Sequence, residues 1–147
     1  MRRFLAASLL ALFAFGLAAA PTNIPLIQPK DLAARLQAKG PQPLLIHVGF
    51  NVMYRGKRIP HSIYAGPGQT PEGISALRAA VANVPKNREI VIYCGCCPWD
   101  HCPNIGPAMS TLRQMGFTQV KALNLPTNIT VDWFDKGYPA DSTPVSR

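Results

Sequence analysis

Glu89-Ile90-Val91-Ile92-Tyr93-Cys94, running straight into Gly95-Cys96-Cys97-Pro98-Trp99-Asp100-His101-Cys102, is the stretch whose reading decides the fold. Its first half is the strongest strand signal in the chain, a short apolar run of the kind that forms the buried interior of a sheet. From Cys94 onward, the stretch gathers all four cysteines of the protein into nine residues. In open α/β sheets, ligands bind outside the carboxyl ends of the strands, and Cys94 stands at such an end.

Working outward, helices and strands alternate. Upstream, Thr70-Pro71-Glu72 opens a helix with a hydroxyl cap, a first-turn proline and an acid near the positive helix end. Ile74, Leu77, Ala80, Val81 and Val84 follow at helical spacing before Pro85. Leu44 to Val48 reads as a second buried strand. The glycine-, proline- and base-rich residues 49 to 69 read as loop, with a brief extended piece at Ile63 and Tyr64. Pro29 to Lys39 reads as a helix stopped by Gly40, and Ile24 to Ile27 as a short first strand. Downstream, Pro107 to Met115 forms a helix ended by Gly116, Val120 to Leu123 a last strand, and Trp133 lies on a final helical turn. This alternation predicts an α/β domain over residues 24–140, three layers deep, with a parallel sheet flanked by helices on both faces.

Arg2 and Arg3 precede an uncharged apolar stretch ending in Gly16, Ala18, Ala19 and Ala20, the pattern of a secretory signal. The expected cut follows Ala18, with Ala20 as the latest position, because Pro21 sits awkwardly beyond it. The uncharged run of 17 residues is at the lower limit for a membrane span. A periplasmic or secreted protein without a membrane segment after cleavage is therefore expected. Residues 141–147 are expected to be a frayed tail.

The 147-residue chain is 48% hydrophobic and 15% charged, which excludes a disordered chain and suits one domain with its own core. Its formal charge of +8 falls to +6 once Arg2 and Arg3 are removed. The remaining bases are scattered, densest at Arg55, Lys57 and Arg58, and no basic face interleaved with aromatics suggests nucleic acid. Small anions fit this modest field better than polyanions.

The loop feeds a helix whose free N–H groups and positive dipole end can hold an anion and lower a thiol pKa. Cys94 is therefore the candidate nucleophile, with Gly95, Cys96, Cys97, Trp99, Asp100, His101, Cys102 and Asn104 shaping its surroundings. Among Cys96, Cys97 and Cys102, a structural disulfide and a resolving thiol are both open readings. A second functional class uses the same residues without catalysis. Cys94, Cys96, Cys97, His101 and Cys102 are ligand types for cuprous copper or zinc, although C-x-C-C-x3-H-C is not ordinary zinc-module spacing. His47 is expected to be a hydrogen-bonded core group beneath the loop. A phosphatase is disfavoured by the absence of an arginine six positions after Cys94, where Asp100 stands.

Several segments together resemble the rhodanese (sulfurtransferase) superfamily across about residues 25 to 140. Leu44-Leu45-Ile46-His47-Val48 is similar to its first buried strand motif. Arg58-Ile59-Pro60-His61-Ser62-Ile63 resembles its G-H-I-P-G-A-I segment. Ile90 to Cys94 resembles the strand delivering the nucleophilic cysteine. Met115-Gly116-Phe117 with Val120 resembles the following helix exit, and Trp133 with Gly137-Tyr138-Pro139 the W-x-x-x-G-Y-P ending. The resemblance implies a sulfurtransferase without a cofactor. Cys94 would take sulfane sulfur from thiosulfate or another donor, hold it as a persulfide, and pass it to a thiol acceptor. A resolving cysteine would add a redox partner, a thiol-disulfide reductase. The loop departs from the family pattern in length and in charge, with no Lys or Arg between Cys94 and Arg113 and with Asn104 about where an arginine is expected. His47 replaces a common acid, and Gly49 stands where an arginine often follows. Arg55, Lys57 and Arg58 are the candidate anion-binding residues from another loop.

Overall fold

The computed structural model describes residues 23–142; the expected signal at 1–18, its cut, and positions 143–147 lie outside the described residues. Five strands, β1 (Leu26–Ile27), β2 (Leu44–His47), β3 (Ile63–Tyr64), β4 (Ile90–Tyr93) and β5 (Val120–Leu123), pair in parallel in the order β1-β5-β4-β2-β3. β4 lies at the centre, with Ile46 opposite Ile92 and His47 opposite Tyr93 on β2. Four helices accompany them: α1 (Pro29–Gln37), α2 (Asn51–Gly56), α3 (Pro71–Ala80) and α4 (Ile105–Gln114).

Side chains alternate across a strand, so β4 serves two cores. Ile90, Ile92 and, in phase with them, Cys94 pack with Ile46, Leu77, Ala108 and Leu112 on the α3/α4 side. Val91 and Tyr93 pack with Leu45, Leu32 and Trp133 on the other side. Every residue of β4 is fully buried. Each large aliphatic side chain so placed contributes roughly 1.5–3 kcal/mol, which is why the strand is apolar without interruption. The three-layer arrangement expected from sequence is borne out.

Three helices depart from the sequence expectation. α4 begins at Ile105, not Pro107, because a proline in the first turn sacrifices only an N–H that has no helical partner. α3 ends at Ala80, short of Val84, although its Thr70 cap forms as expected, the hydroxyl accepting from the Gly73 N–H at 3.0 Å. Within the segment read as loop lies α2. Its sequence has little intrinsic helical drive; packing holds it, since Tyr54 is buried, donates its hydroxyl to the Ser62 carbonyl at 2.6 Å, and sets its ring 5.3 Å from that of Tyr64.

Trp133 lies on a π-type turn at Thr130–Phe134, fully buried, and donates its indole N–H to the Pro139 carbonyl at 2.8 Å. Asp141, where the frayed tail was expected to begin, is instead tied to Arg58 by reciprocal backbone hydrogen bonds and a 2.9 Å ion pair. Among the described residues no helix is long and apolar enough to cross a membrane.

Candidate active site

Cys94 leaves β4 at the carboxyl edge of the sheet, below the start of α4. Its phase along the strand turns the side chain into the α3/α4 core, so the residue is only 2% exposed. Above it the chain turns sharply through Gly95, whose φ of +91° favours glycine. A Cβ there would also meet Ile129 at 2.8 Å, and the Ile129 N–H donates to the Gly95 carbonyl at 3.1 Å. The segment after β5 thus clamps the root of the loop. A second clamp comes from Trp99, whose N–H donates to the Leu125 carbonyl at 3.0 Å, at the head of a short 3-10 turn (Trp99–His101).

The loop brings three sulfurs together. The Sγ atoms of Cys94, Cys96 and Cys102 all lie within 4.8 Å of one another. Cys96 Sγ is 3.3 Å from Cys94 Sγ and 3.0 Å from Cys97 Sγ. The four thiols are free; Cys94 and Cys102 are buried, Cys97 is half-buried and Cys96 is exposed. Asn104, with no exposed surface, orients the group. Its amide nitrogen reaches Cys94 Sγ at 3.3 Å and Cys102 Sγ at 3.9 Å, while its oxygen accepts from the Gln69 N–H at 3.1 Å. The position where an arginine was expected thus carries a neutral donor to sulfur.

Proton affinities divide within the cluster. Hydrogen bonding with Cys94 holds Cys102 down to about 5, helped by the Asn104 backbone N–H. Cys94 is pushed well above the ordinary thiol range by that same bond and by burial, although the Cys96 N–H opposes the shift. The expectation of a lowered thiol pKa at Cys94 is therefore corrected: the preferred thiolate is Cys102, three residues before α4. The two sulfurs titrate as a pair, with the proton favouring the more buried Cys94.

His47 lies beneath, as expected. Burial lowers its pKa to about 4, and its ring hydrogen-bonds to the Cys94 carbonyl. Because Nδ1 accepts from the Gly49 N–H at 3.3 Å, the proton resides on Nε2.

Other sequence candidates stand apart. His101 and Asp100 pair with each other at 2.8 Å, and their side chains are 79% and 53% exposed, facing solvent outside the sulfur group. Arg58 is buried and engaged with Asp141, so it does not serve the loop as an anion receptor. Arg55 is exposed on α2. Lys57 sits 4.5 Å over the Phe134 ring and lines a cavity of about 350 Å³ shared with His47, Met53, Ile129 and Asp135. That cavity adjoins the site through His47, and no cysteine lines it. The sequence reading passed over Gly68 and Gln69, which brace Asn104; a Cβ on Gly68 would come within 2.3 Å of the Asn104 carbonyl oxygen. The Gly66-Pro67-Gly68 spacing was the available signal.

No family model and no curated protein matches the sequence. Among solved structures, the rhodanese-like domain from the Anabaena sp. Alr3790 protein is 22% identical with a TM-score of 0.58, over 84% of this chain and 86% of that one. The Saccharomyces cerevisiae single domain sulfurtransferase RDL2 is 15% identical with a TM-score of 0.58, over 81% and 95%. The thiosulfate sulfurtransferase from Pseudomonas aeruginosa is 20% identical with a TM-score of 0.60, over 84% of this chain and 21% of that one. The chain has the rhodanese-like α/β fold, as its sequence motifs implied. A shared fold does not by itself carry an activity.

Proposed function

We propose that this protein is a sulfurtransferase that carries sulfane sulfur as a persulfide on Cys94 and discharges it through Cys96. One observation supports this above all others: on a rhodanese-like fold, the cysteine ending the central strand has a second, solvent-exposed thiol 3.3 Å away.

In the loading step, Cys102 takes the Cys94 proton while Cys94 sulfur attacks the outer sulfur of a donor R–S–SH. The donor's S–S bond breaks, RS⁻ leaves with the electron pair, and Cys94–S–SH forms. The Asn104 amide and the Cys96 N–H stabilise the charge on Cys94 as it attacks. In the discharge step, Cys96 thiolate attacks Cys94 Sγ. The Cys94–Cys96 disulfide forms and HS⁻ leaves, so the sulfane sulfur is reduced as two thiols are oxidised. A dithiol reductase resets the pair by exchange. Because Cys94 is 2% exposed, donor access requires Cys96 to swing aside. No Lys or Arg occurs between Cys94 and Arg113, so a thiol-borne persulfide suits the loop better than a dianion such as thiosulfate. The signal-like residues 1–18 support a periplasmic or secreted setting, where a resetting partner has a role.

The test is intact mass after incubation with a persulfide donor. The wild type should release sulfide and lose two hydrogens as the disulfide forms, Cys94→Ala should gain no sulfur, and Cys96→Ser should gain and keep one sulfur while sulfide release falls. An adduct that survives Cys94→Ala, or release untouched by Cys96→Ser, overturns the reading.

A further inference from the structure

We propose that Cys94, Cys96 and Cys102 form a three-sulfur site for a soft monovalent cation, cuprous copper, a binding function distinct from sulfur transfer. The three Sγ atoms lie within 4.8 Å of one another without any rearrangement of the loop. A triangle of sulfurs with edges of about 4 Å places a central ion about 2.3 Å from each, an ordinary metal–thiolate bond length. The 3.3 Å edge between Cys94 and Cys96 needs only a small rotation of the exposed Cys96 side chain to open to that size.

Charge points the same way. Three cysteine sulfurs give up their protons on binding a soft cation, where the loop offers no Lys or Arg and its histidine is turned outward against Asp100. The bound cation then balances the charge of its own ligands. The outer shell is also built: Asn104, fully buried and fixed by Gln69, aims one amide nitrogen at two of the three sulfurs. Such donors orient metal ligands and hold their charge. The walls around the sulfurs include Cys97, Trp99, Ile105 and Leu125, of which only Cys97 carries a ligand atom, and it lies outside the converging triad. Three converging soft ligands favour copper(I) over tetrahedral zinc. Cys97 is outside the triad, although its sulfur is 3.0 Å from that of Cys96. The wider ligand set read from sequence, with His101 and Cys97, thus contracts to three residues.

The full chain, reduced and kept anaerobic, is titrated with cuprous ion against bicinchoninate as a coloured competitor. Thiolate-to-copper charge transfer and X-ray absorption provide the readouts. One copper should bind per chain with a sulfur-only shell. Cys96→Ser, which changes an exposed side chain and leaves the core intact, and Cys102→Ser should each weaken binding by more than the roughly 100-fold that outer-shell changes cost. His101→Ala and Cys97→Ser should retain wild-type affinity. Absence of one-to-one binding, nitrogen in the copper shell, undiminished affinity in Cys96→Ser, or weakened affinity in His101→Ala or Cys97→Ser each overturns the site. These readouts need no sulfane donor, so they stand or fall separately from the persulfide test.

Discussion

Replacing Gly49 by alanine sets a methyl group against three neighbours at once. A Cβ at this position would lie 2.7 Å from Cys94 Sγ, 3.0 Å from His47 Cε1 and 3.1 Å from the Cys94 carbonyl oxygen. Ordinary contact with carbon begins near 3.5 Å, so the sulfur must retreat by somewhat under about 1 Å. The other two contacts cannot yield easily. The carbonyl belongs to the end of the central strand, and the His47 ring is held by bonds to that carbonyl and to the Gly49 N–H. Relief therefore comes from Cys94, which leaves its rotamer and loosens its 3.3 Å contact with Asn104. Overpacking of this kind costs about 1–3 kcal/mol. For a domain of this size, each kcal/mol lowers the melting temperature by roughly 4 °C, so a fall of roughly 4–12 °C is expected. Calorimetry measures that fall, and quantitative alkylation of Cys94 in the folded protein should change in rate alongside it. A Gly49→Ala protein that melts with the wild type and alkylates at the same rate would refute the packing argument.

Two further outcomes follow from the charge distribution. The ultraviolet thiolate absorbance of the reduced, metal-free protein should show a first step near pH 5, since Cys102 is held at about that value by its bond with Cys94. This step should vanish in Cys102→Ser and persist in Cys97→Ser; a first step in the ordinary thiol range of about 8.5 contradicts the assignment. Away from the site, Glu89 accepts two bonds from Arg35, at 2.8 and 2.7 Å, and one from Lys121 at 3.1 Å, and the Arg35 bonds chiefly pull its pKa down to about 2. With a depressed folded pKa, the stabilisation is present above the unfolded value near 4.3 and lost as pH falls through about 2. Because Arg35 is 35% exposed, solvent screening limits the effect to about 1 kcal/mol. Glu89→Gln should therefore lower stability in urea melts at pH 7 by that amount and converge with the wild type toward pH 2; an undiminished gap at the acid end refutes it.

Much of the architecture was legible because it rests on local chemistry and on periodicity. Glu89 to Tyr93 could only be a buried strand, Thr70-Pro71-Glu72 could only open a helix, and the alternation of such elements implied a parallel sheet covered on both faces. The position of the cysteine loop at a strand end was equally plain. Residues such as Asn51 to Gly56 were not, because their helix is held by the burial of Tyr54 and its bond to Ser62, partners brought near by the fold.

What sequence could determine about the site was its membership: four thiols, one loop, and no nearby Lys or Arg. Which thiols converge depended on three dimensions. The alternation of β4 turns Cys94 inward, Gly95 reverses the chain over it, and Asn104 reaches back from the start of α4 to two sulfurs. Proton affinity followed from that arrangement, since a shared proton belongs to a pair of sulfurs in contact and not to a residue type. Tertiary structure therefore moved the low-pKa thiol to Cys102, sent His101 to the surface, and engaged Arg58 with Asp141, because burial and distance are set by the folded chain as a whole.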